Sequence, residues 1–277
     1  MKIAVVPNLT KEAAQTCTDE VLSILGRCGC ETVLKTDLFT AHGIYQERVE
    51  DSLRACDVFI AIGGDGTIIH TAKLAASLGR PILGVNAGTL GFTAGVERHQ
   101  LSLLANLVKG EYREERRLML SVELSSGGET RGFYAINDAV LSGEPAKIID
   151  YNMALGRRSY RYRADGFIVA TPTGSTAYSM SAGGPIVEPT SENILVTPIC
   201  AHSLHAKPLV MGRDRIVSVR IGKLSRKTAY LSVDGGRAFK LCGGDTVEVR
   251  RSKSVTRLVR LTDHSFYEII NQKLGRA

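Results

Sequence analysis

Asp57-Val58-Phe59-Ile60-Ala61-Ile62-Gly63-Gly64-Asp65-Gly66-Thr67 is the stretch on which the fold turns. Residues 57–62 form a short β-branched and aromatic apolar run, the pattern of a buried strand. After the glycines, Ile68, Ile69, Ala72, Ala75 and Ala76 recur at helical spacing, and Gly79 and Pro81 mark a helix end. A glycine-rich turn with one acid at its centre therefore joins a strand to a helix. Glycines let backbone approach a ligand closely, and the free N–H groups of a helix start attract phosphate. A carboxylate placed there repels phosphate unless its task is to take a proton or hold a metal ion. The combination suggests phosphoryl transfer.

Other phosphate motifs fail on the letters. The dinucleotide fingerprint G-x-G-x-x-G reaches Ile69 where its third glycine belongs, and no G-x-x-x-x-G-K-[ST] occurs. The protein-kinase set of H-R-D and D-F-G is absent as well. The competing reading is a structural glycine turn in which Asp65 caps the following helix.

A chain of 277 residues suits two domains, and 44% apolar with 23% charged residues is the composition of a soluble globular protein. No stretch approaches about 18 consecutive apolar residues, so a transmembrane helix is not expected. The start, Met1-Lys2-Ile3-Ala4-Val5-Val6-Pro7, reads as a strand rather than a signal peptide, which points to the cytoplasm. Cys17, Cys28, Cys30, Cys56, Cys200 and Cys242 include no C-x-x-C pair and are expected as reduced thiols. The net charge of +7 is spread along the chain. Its dense cluster is Arg157, Arg158, Arg161 and Arg163, interleaved with Tyr160 and Tyr162. That is more simply a β-strand with one wet face than a nucleic-acid patch.

The first part of the chain alternates strand and helix patterns, which implies a largely parallel sheet covered by helices. Strands are expected at 2–6, 32–34, 58–62 and 81–85, and helices at 12–25, 47–55 and 101–108. Ala13, Val21, Leu22 and Leu25 are the expected core face of the first helix. A second glycine turn runs from Asn86 through Gly88 and Thr89-Leu90 to Gly91. Ligands in open α/β sheets sit beyond such strand ends. After Arg117 the pattern becomes strands, at 119–124, 131–136, 160–163, 166–170, 194–197, 216–221, 228–233 and 246–250. Hairpin signals occur at Ser126-Gly127-Gly128 and Asp234-Gly235. Phe266, Ile269, Ile270 and Leu274 suggest a final helix. The fold class is therefore α/β plus β. A Rossmann-like domain spans 1–115, a sandwich-like all-β domain spans 116–261, and the helix of about 262–277 packs back on the first.

Four further stretches line up with Gly63–Thr67 in order. They are Asn137-Asp138; Asp165-Gly166 leading into Thr171-Pro172-Thr173-Gly174-Ser175-Thr176-Ala177-Tyr178 and on through Ser181; Pro198 through His202-Ser203-Leu204 to Lys207-Pro208; and Asp234-Gly235. Together they resemble the NAD kinase family, and the run from Thr171 to Tyr178 makes the match specific. A lone Gly-Gly-Asp-Gly is shared with diacylglycerol, sphingosine and phosphofructokinase relatives.

The resemblance implies a kinase that moves a phosphoryl group from ATP or polyphosphate to the 2′-hydroxyl of NAD's adenosine ribose, with a divalent metal such as Mg2+. It implies an interdomain site and a homodimer or homotetramer. Asp65 is then the acid that activates the hydroxyl, and Gly63, Gly64, Gly66 and Thr67 shape the phosphate site. Asn137 and Asp138 match the pair that binds adenosine. Thr176, Ala177, Tyr178 and Ser181 line the dinucleotide pocket, with Asp165 near the nicotinamide end and Arg163 and Thr173 in the same binding set. A positioned base typically contributes about 10²–10⁴-fold, which suits a hydroxyl nucleophile.

Each assignment has a plainer competitor. Asn137-Asp138 and Asp234-Gly235 are ordinary turn residues, and for Asp234 the turn reading leads. Cys200, His202 and His205 have loosely metal-like spacing without a fourth ligand. The family's Asn-Glu is Asn137-Asp138 here, one methylene shorter, and its Asp-Gly-Gln is Asp234-Gly235-Gly236. Those departures touch ligand contacts rather than the reaction. A lipid kinase and a non-enzymatic NAD-binding sensor are the rival functions.

Overall fold

The computed structural model describes residues 1–40, 43–44, 51–88, 91–145, 147–156, 158–202, 206–224, 227–263 and 265–275. Thr89, Leu90, Arg157, Ser203, Leu204, His205 and the first part of the helix expected at 47–55 lie outside the described residues. The chain divides into two compact units, Met1–Arg117 with Ser254–Ala277, and Leu118–Lys253. It passes between them inside two strands, Arg113–Ser126 and Thr246–Arg260. The return at Ser254 comes earlier than the boundary expected after 261, because Leu258 already pairs with Ile82 in the sheet of the first unit.

In the first unit Glu31–Leu34, Lys2–Pro7, Val58–Gly63 and Ile82–Asn86 form a parallel sheet in that spatial order. Val58–Gly63 is buried along its whole length, as a central parallel strand covered on both faces must be. Helix Glu12–Arg27 buries Ala14, Cys17, Thr18, Val21 and Leu25, a stripe at i, i+3, i+4, i+7 and i+11. Ala13, expected in the core, is exposed, because the stripe begins one residue later. The helix expected at 101–108 starts as a 3₁₀ turn, Arg98–Leu103, and continues as Leu104–Lys109. Gly110 ends it at φ 78, a left-handed conformation that glycine adopts without a Cβ clash. The side chains meet in one core that includes Ile3, Val5, Val21, Ile60, Ile62, Leu83 and Leu104.

The second unit is all β. One antiparallel sheet runs Leu209–Gly212, Asn193–Ile199, Gly166–Ala170, Asp138–Gly143, Ala229–Val233, Phe239–Leu241. The other contains Arg158–Ala164, Ile149–Leu155 and Val217–Ile221, followed by the start of Thr246–Arg260. A single core joins residues of both sheets, among them Leu141, Phe167 and Leu231 from the first and Tyr151, Met153, Val219 and Val247 from the second. This is the expected sandwich-like arrangement, two sheets burying their inner faces on one another.

Gly127 and Gly128 close the hairpin of Arg113–Ser126 with Glu129–Ala135, both at positive φ as a two-residue type I′ loop demands. Tyr162 stacks on Tyr151 at 5.5 Å, while Arg161 and Arg163 reach Asp150 from the other face. The basic run is thus a strand with a wet face. Among the described residues of the second unit, four strands were not expected: Asp138–Gly143, Ile149–Leu155, Leu209–Gly212 and Phe239–Leu241. The first begins on Asp and ends on Ser-Gly, which read as turn residues; the second carries Asp150 and Asn152 between buried neighbours.

Candidate functional site

Two constellations hold most of the expected site residues, one in each unit. In the first, Val58–Gly63 ends beside Lys2–Pro7 and Ile82–Asn86, so the glycine turn lies at the carboxyl ends of parallel strands. Helix Asp65–Ser77 begins there, with extended Gly64 as its N-cap and Asp65 as its first residue. Asp65 does not cap its helix. Its Oδ2 accepts from the N–H of Phe92 at 3.0 Å and its Oδ1 accepts from the N–H of Thr93 at 3.0 Å. Lys273 Nζ lies 3.7 Å from Oδ2, and the Asp65 side chain keeps 36% of its exposure. A carboxylate has about four acceptor sites, so two amide bonds hold it in place and leave lone pairs to take a proton.

Glycine is demanded at two positions around this acid. A Cβ at Gly91 would fall 2.5 Å from Asp65 Oδ1, and one at Gly63 would fall 2.5 Å from Thr67 Oγ1. Gly64 and Gly66 are different. A Cβ at Gly64 would meet only Lys11 Nζ, at 3.8 Å, and one at Gly66 would meet nothing within 4 Å. The fold does not require glycine at either place, so their lack of side chains leaves the helix-start N–H groups bare. Thr67 is buried, and its Oγ1 accepts from Asn8 Nδ2 at 3.2 Å, which ties the end of the first strand to the turn.

The second constellation is a knot of three motifs far apart in sequence. Asp234, at the left-handed φ of 48, turns its carboxylate onto three successive backbone N–H groups. Its Oδ2 accepts from Ile136 at 2.9 Å, and its Oδ1 from Asn137 at 2.7 Å and Asp138 at 2.9 Å. Thr171 donates its N–H to the carbonyl of Asn137 at 2.8 Å and its hydroxyl to that of Ile136 at 2.5 Å. Thr171 Oγ1 also accepts from Gly174 N at 3.0 Å. Gly174 packs so closely on Asn137 that a Cβ would lie 2.8 Å from its Cα. Asp138 is buried at 4% exposure and Asn137 is half-buried. For Asp234, the turn reading and a positioning role coincide: the turn is the anchor.

Of the other expected site residues, Thr173, Thr176, Ala177, Tyr178 and Ser181 continue the chain from this knot, whereas Asp165 lies at the opposite end of the paired strands Asp138–Gly143 and Gly166–Ala170. Thr173 is buried in the 3₁₀ turn Thr173–Thr176, and Thr176 Oγ1 donates to its carbonyl at 3.3 Å. Ala177 is half-buried, and Tyr178, which opens the short helix Tyr178–Ser181, is 47% exposed; Ser181 is exposed. Asp165 sits between strands, its N–H on the carbonyl of Ile199 and its carbonyl on the N–H of Gly143. Arg163 stands apart, on the strand Arg158–Ala164 of the other sheet, with Nε 3.5 Å from Asp150 Oδ1.

Sequence reading passed over Asn8, Lys11, the Phe92 and Thr93 amides and Lys273. An asparagine directly after a strand was the available signal for Asn8. The Phe92 and Thr93 amides left none, since a backbone N–H looks alike at every residue, and Lys11 and Lys273 read as ordinary lysines until the fold brings them beside the turn. No three His, Cys, Asp or Glu residues gather as a metal site among the described residues, and His205 lies outside them. All six cysteines are free thiols. No described helix is long and apolar enough to cross a membrane.

Residues 3–112 match the family described as the ATP-NAD kinase N-terminal domain, and residues 136–261 match the ATP-NAD kinase C-terminal domain. A protein of Symbiobacterium thermophilum named NAD kinase is 40% identical, over 99% of both chains. The NAD kinase of Wolinella succinogenes is 37% identical over 92% of this chain and 89% of its own. Among solved structures, yeast NADH kinase complexed with NADH superposes with a TM-score of 0.86 at 25% identity, covering 99% of this chain and 87% of that one. An NAD kinase from Archaeoglobus fulgidus in complex with ATP superposes with a TM-score of 0.75 at 26% identity, covering 100% of each chain.

Proposed function

The chain belongs to the NAD kinase family, whose activity is phosphorylation of NAD to NADP, and from that premise we propose how its own residues share the work. The observation that carries the reading is Asp65, held by two backbone N–H groups at a helix start beyond parallel strands. It takes the proton from the 2′-hydroxyl of the adenosine ribose as the phosphoryl group arrives. Gly63, Gly64, Gly66 and Thr67 form the phosphate-binding turn. Asn137 and Asp138 hold adenosine, positioned by Asp234 and by the Thr171-Gly174 turn. Thr173, Thr176, Ala177, Tyr178 and Ser181 continue the dinucleotide surface, with the exposed Tyr178 ring free to stack on a base. Asp165 serves toward the nicotinamide end. Arg163 joins only after leaving Asp150, and an exposed ion pair of that kind contributes about 0–1 kcal/mol, a small barrier.

ATP is the donor in this reading, and polyphosphate is an alternative to be tested beside it. With one carboxylate at the turn, a divalent cation such as Mg2+ would be held by Asp65 together with the donor's phosphates, and it would supply charge neutralisation for phosphoryl transfer. The reading further includes a cytoplasmic homodimer or homotetramer, a family property that light scattering checks.

The decisive assay supplies NAD, Mg2+ and ATP or polyphosphate and couples NADP to glucose-6-phosphate dehydrogenase. Asp65→Asn is expected to lose about 10²-fold or more in turnover with NAD affinity within a few-fold. Survival of turnover within about tenfold removes Asp65 as the base. Since asparagine can satisfy one of the two amides and not both, a thermal melt accompanies the kinetics. Label transferred to diacylglycerol rather than NAD would make the chain a lipid kinase.

A further inference from the structure

The last helix, Phe266–Leu274, opens on a capping box, with Ser265 Oγ accepting from Glu268 N at 3.2 Å and Glu268 Oε2 accepting from Ser265 N at 2.7 Å. None of its residues is fully buried, and Tyr267 is 64% exposed. Lys273, in the last turn, nevertheless keeps only 20% of its side-chain exposure. Its Nζ lies 3.7 Å from Asp65 Oδ2 and 3.8 Å from the centroid of the Phe92 ring. Phe92 is also the residue whose N–H donates to that same Oδ2. One ammonium group therefore bridges the acid and the residue that anchors it.

We infer that Lys273 is a positioning residue for phosphoryl transfer, holding the Asp65 carboxylate and the Gly91-Phe92-Thr93 turn in one arrangement through its charge. The plainer alternative is a lysine that only complements the carbonyl end of its own helix. That alternative explains a cation in the last turn. It does not explain a cation placed on both an aromatic face and a carboxylate, each from a segment far away in sequence. At 3.7 Å the ion pair is too long for a direct hydrogen bond, so Lys273 constrains Asp65 electrostatically while leaving its lone pairs free. Misplacing a reacting group by a fraction of a bond length is costly to turnover and nearly neutral for binding, which sets the expected signature.

The inference rests on Asp65 being the base, and the test keeps the two apart. Lys273→Met retains the unbranched stem over Phe92 and removes the charge; Lys273→Arg retains the charge and the stacking. On the full chain with NAD, ATP and Mg2+, Lys273→Met should lower kcat about tenfold, with KM for both substrates within about threefold. Lys273→Arg should recover most of that loss, and Lys273→Met should add nothing in the Asp65→Asn background. A wild-type kcat in Lys273→Met overturns the inference. So does an equal loss in Lys273→Arg, a rise in KM for ATP without a change in kcat, or the same fold-loss in the Asp65→Asn background. If Asp65→Asn loses its turnover while Lys273→Met keeps the wild-type kcat, only the role of Lys273 falls. If Asp65→Asn keeps its turnover, the base assignment falls and this inference with it.

Discussion

Replacing Asp234 by asparagine tests whether one buried carboxylate organises the adenosine half of the site. Asparagine tolerates the left-handed backbone that Asp234 adopts at φ 48, so the chain path is preserved and the change is confined to the side chain. The carboxylate accepts three N–H groups at 2.7 to 2.9 Å, from Ile136, Asn137 and Asp138. An amide has one acceptor oxygen. Placed where Oδ1 was, it keeps Asn137 and Asp138 as neutral rather than charge-assisted bonds and turns an NH₂ toward the N–H of Ile136. Ile136 is 1% exposed, so water does not readily replace the lost partner. Weakening two such bonds and orphaning a third buried donor costs about 3 kcal/mol. For a chain of this size that is a fall of about 6 °C in Tm. Because the displaced groups belong to the Asn137-Asp138 turn, KM for NAD should rise several-fold while KM for ATP stays put. Calorimetry and steady-state kinetics on Asp234→Asn read both numbers. A Tm within about 1 °C of wild type would refute the three-bond anchor, and a lowered Tm with unchanged KM for NAD would separate that turn from the substrate.

Gly174→Ala should destabilise the chain by about 2 kcal/mol and raise KM for NAD, because its Cβ would meet Asn137 backbone, 2.6 Å from the carbonyl carbon; a variant with normal Tm and KM refutes the close approach. Asp138→Ala should raise KM for NAD by about tenfold or less, as a contact of around 1 kcal/mol would, and an unchanged KM takes Asp138 out of the site. Glu115 offers a pH test: burial, the largest influence, opposes its ionisation, but Arg117 and Arg260 outweigh it and the carboxyl ends below its usual range. A lowered folded value stabilises above the unfolded value of about 4.3 and loses that contribution as pH falls through the folded one. The stability gap between wild type and Glu115→Gln should therefore shrink on acidification from about pH 6 to about pH 3, and a constant gap would contradict the ion-pair account.

Local pattern was enough for much of the architecture. The apolar run before Gly63, the helical spacing after it and the glycine that follows are all neighbours in sequence, so periodicity alone yields strand, turn and helix. Gly166–Ala170 falls on its expected bounds because four apolar residues in a row, Phe167 to Ala170, between turn signals have few other uses. Ile149–Leu155 escaped notice because Asp150 and Asn152 face outward on a strand whose inward residues are Ile149, Tyr151 and Met153. There the tertiary surface, not the residue type, decides what counts as strand.

For the site, the sequence by itself determined which residue types are present at the glycine turn, at Asn137-Asp138 and at 171–178, and hence the class of chemistry. What those residues touch was decided by tertiary structure. Asp65 finds its amides at Phe92 and Thr93 and its cation at Lys273; Asp234 finds its three donors at Ile136, Asn137 and Asp138; Gly174 finds Asn137. The physical reason is that hydrogen bonds and close packing act over about 3 to 4 Å in space and carry no trace in one-dimensional spacing. An acid's partners exist only once the sheets have brought distant segments to the same strand ends.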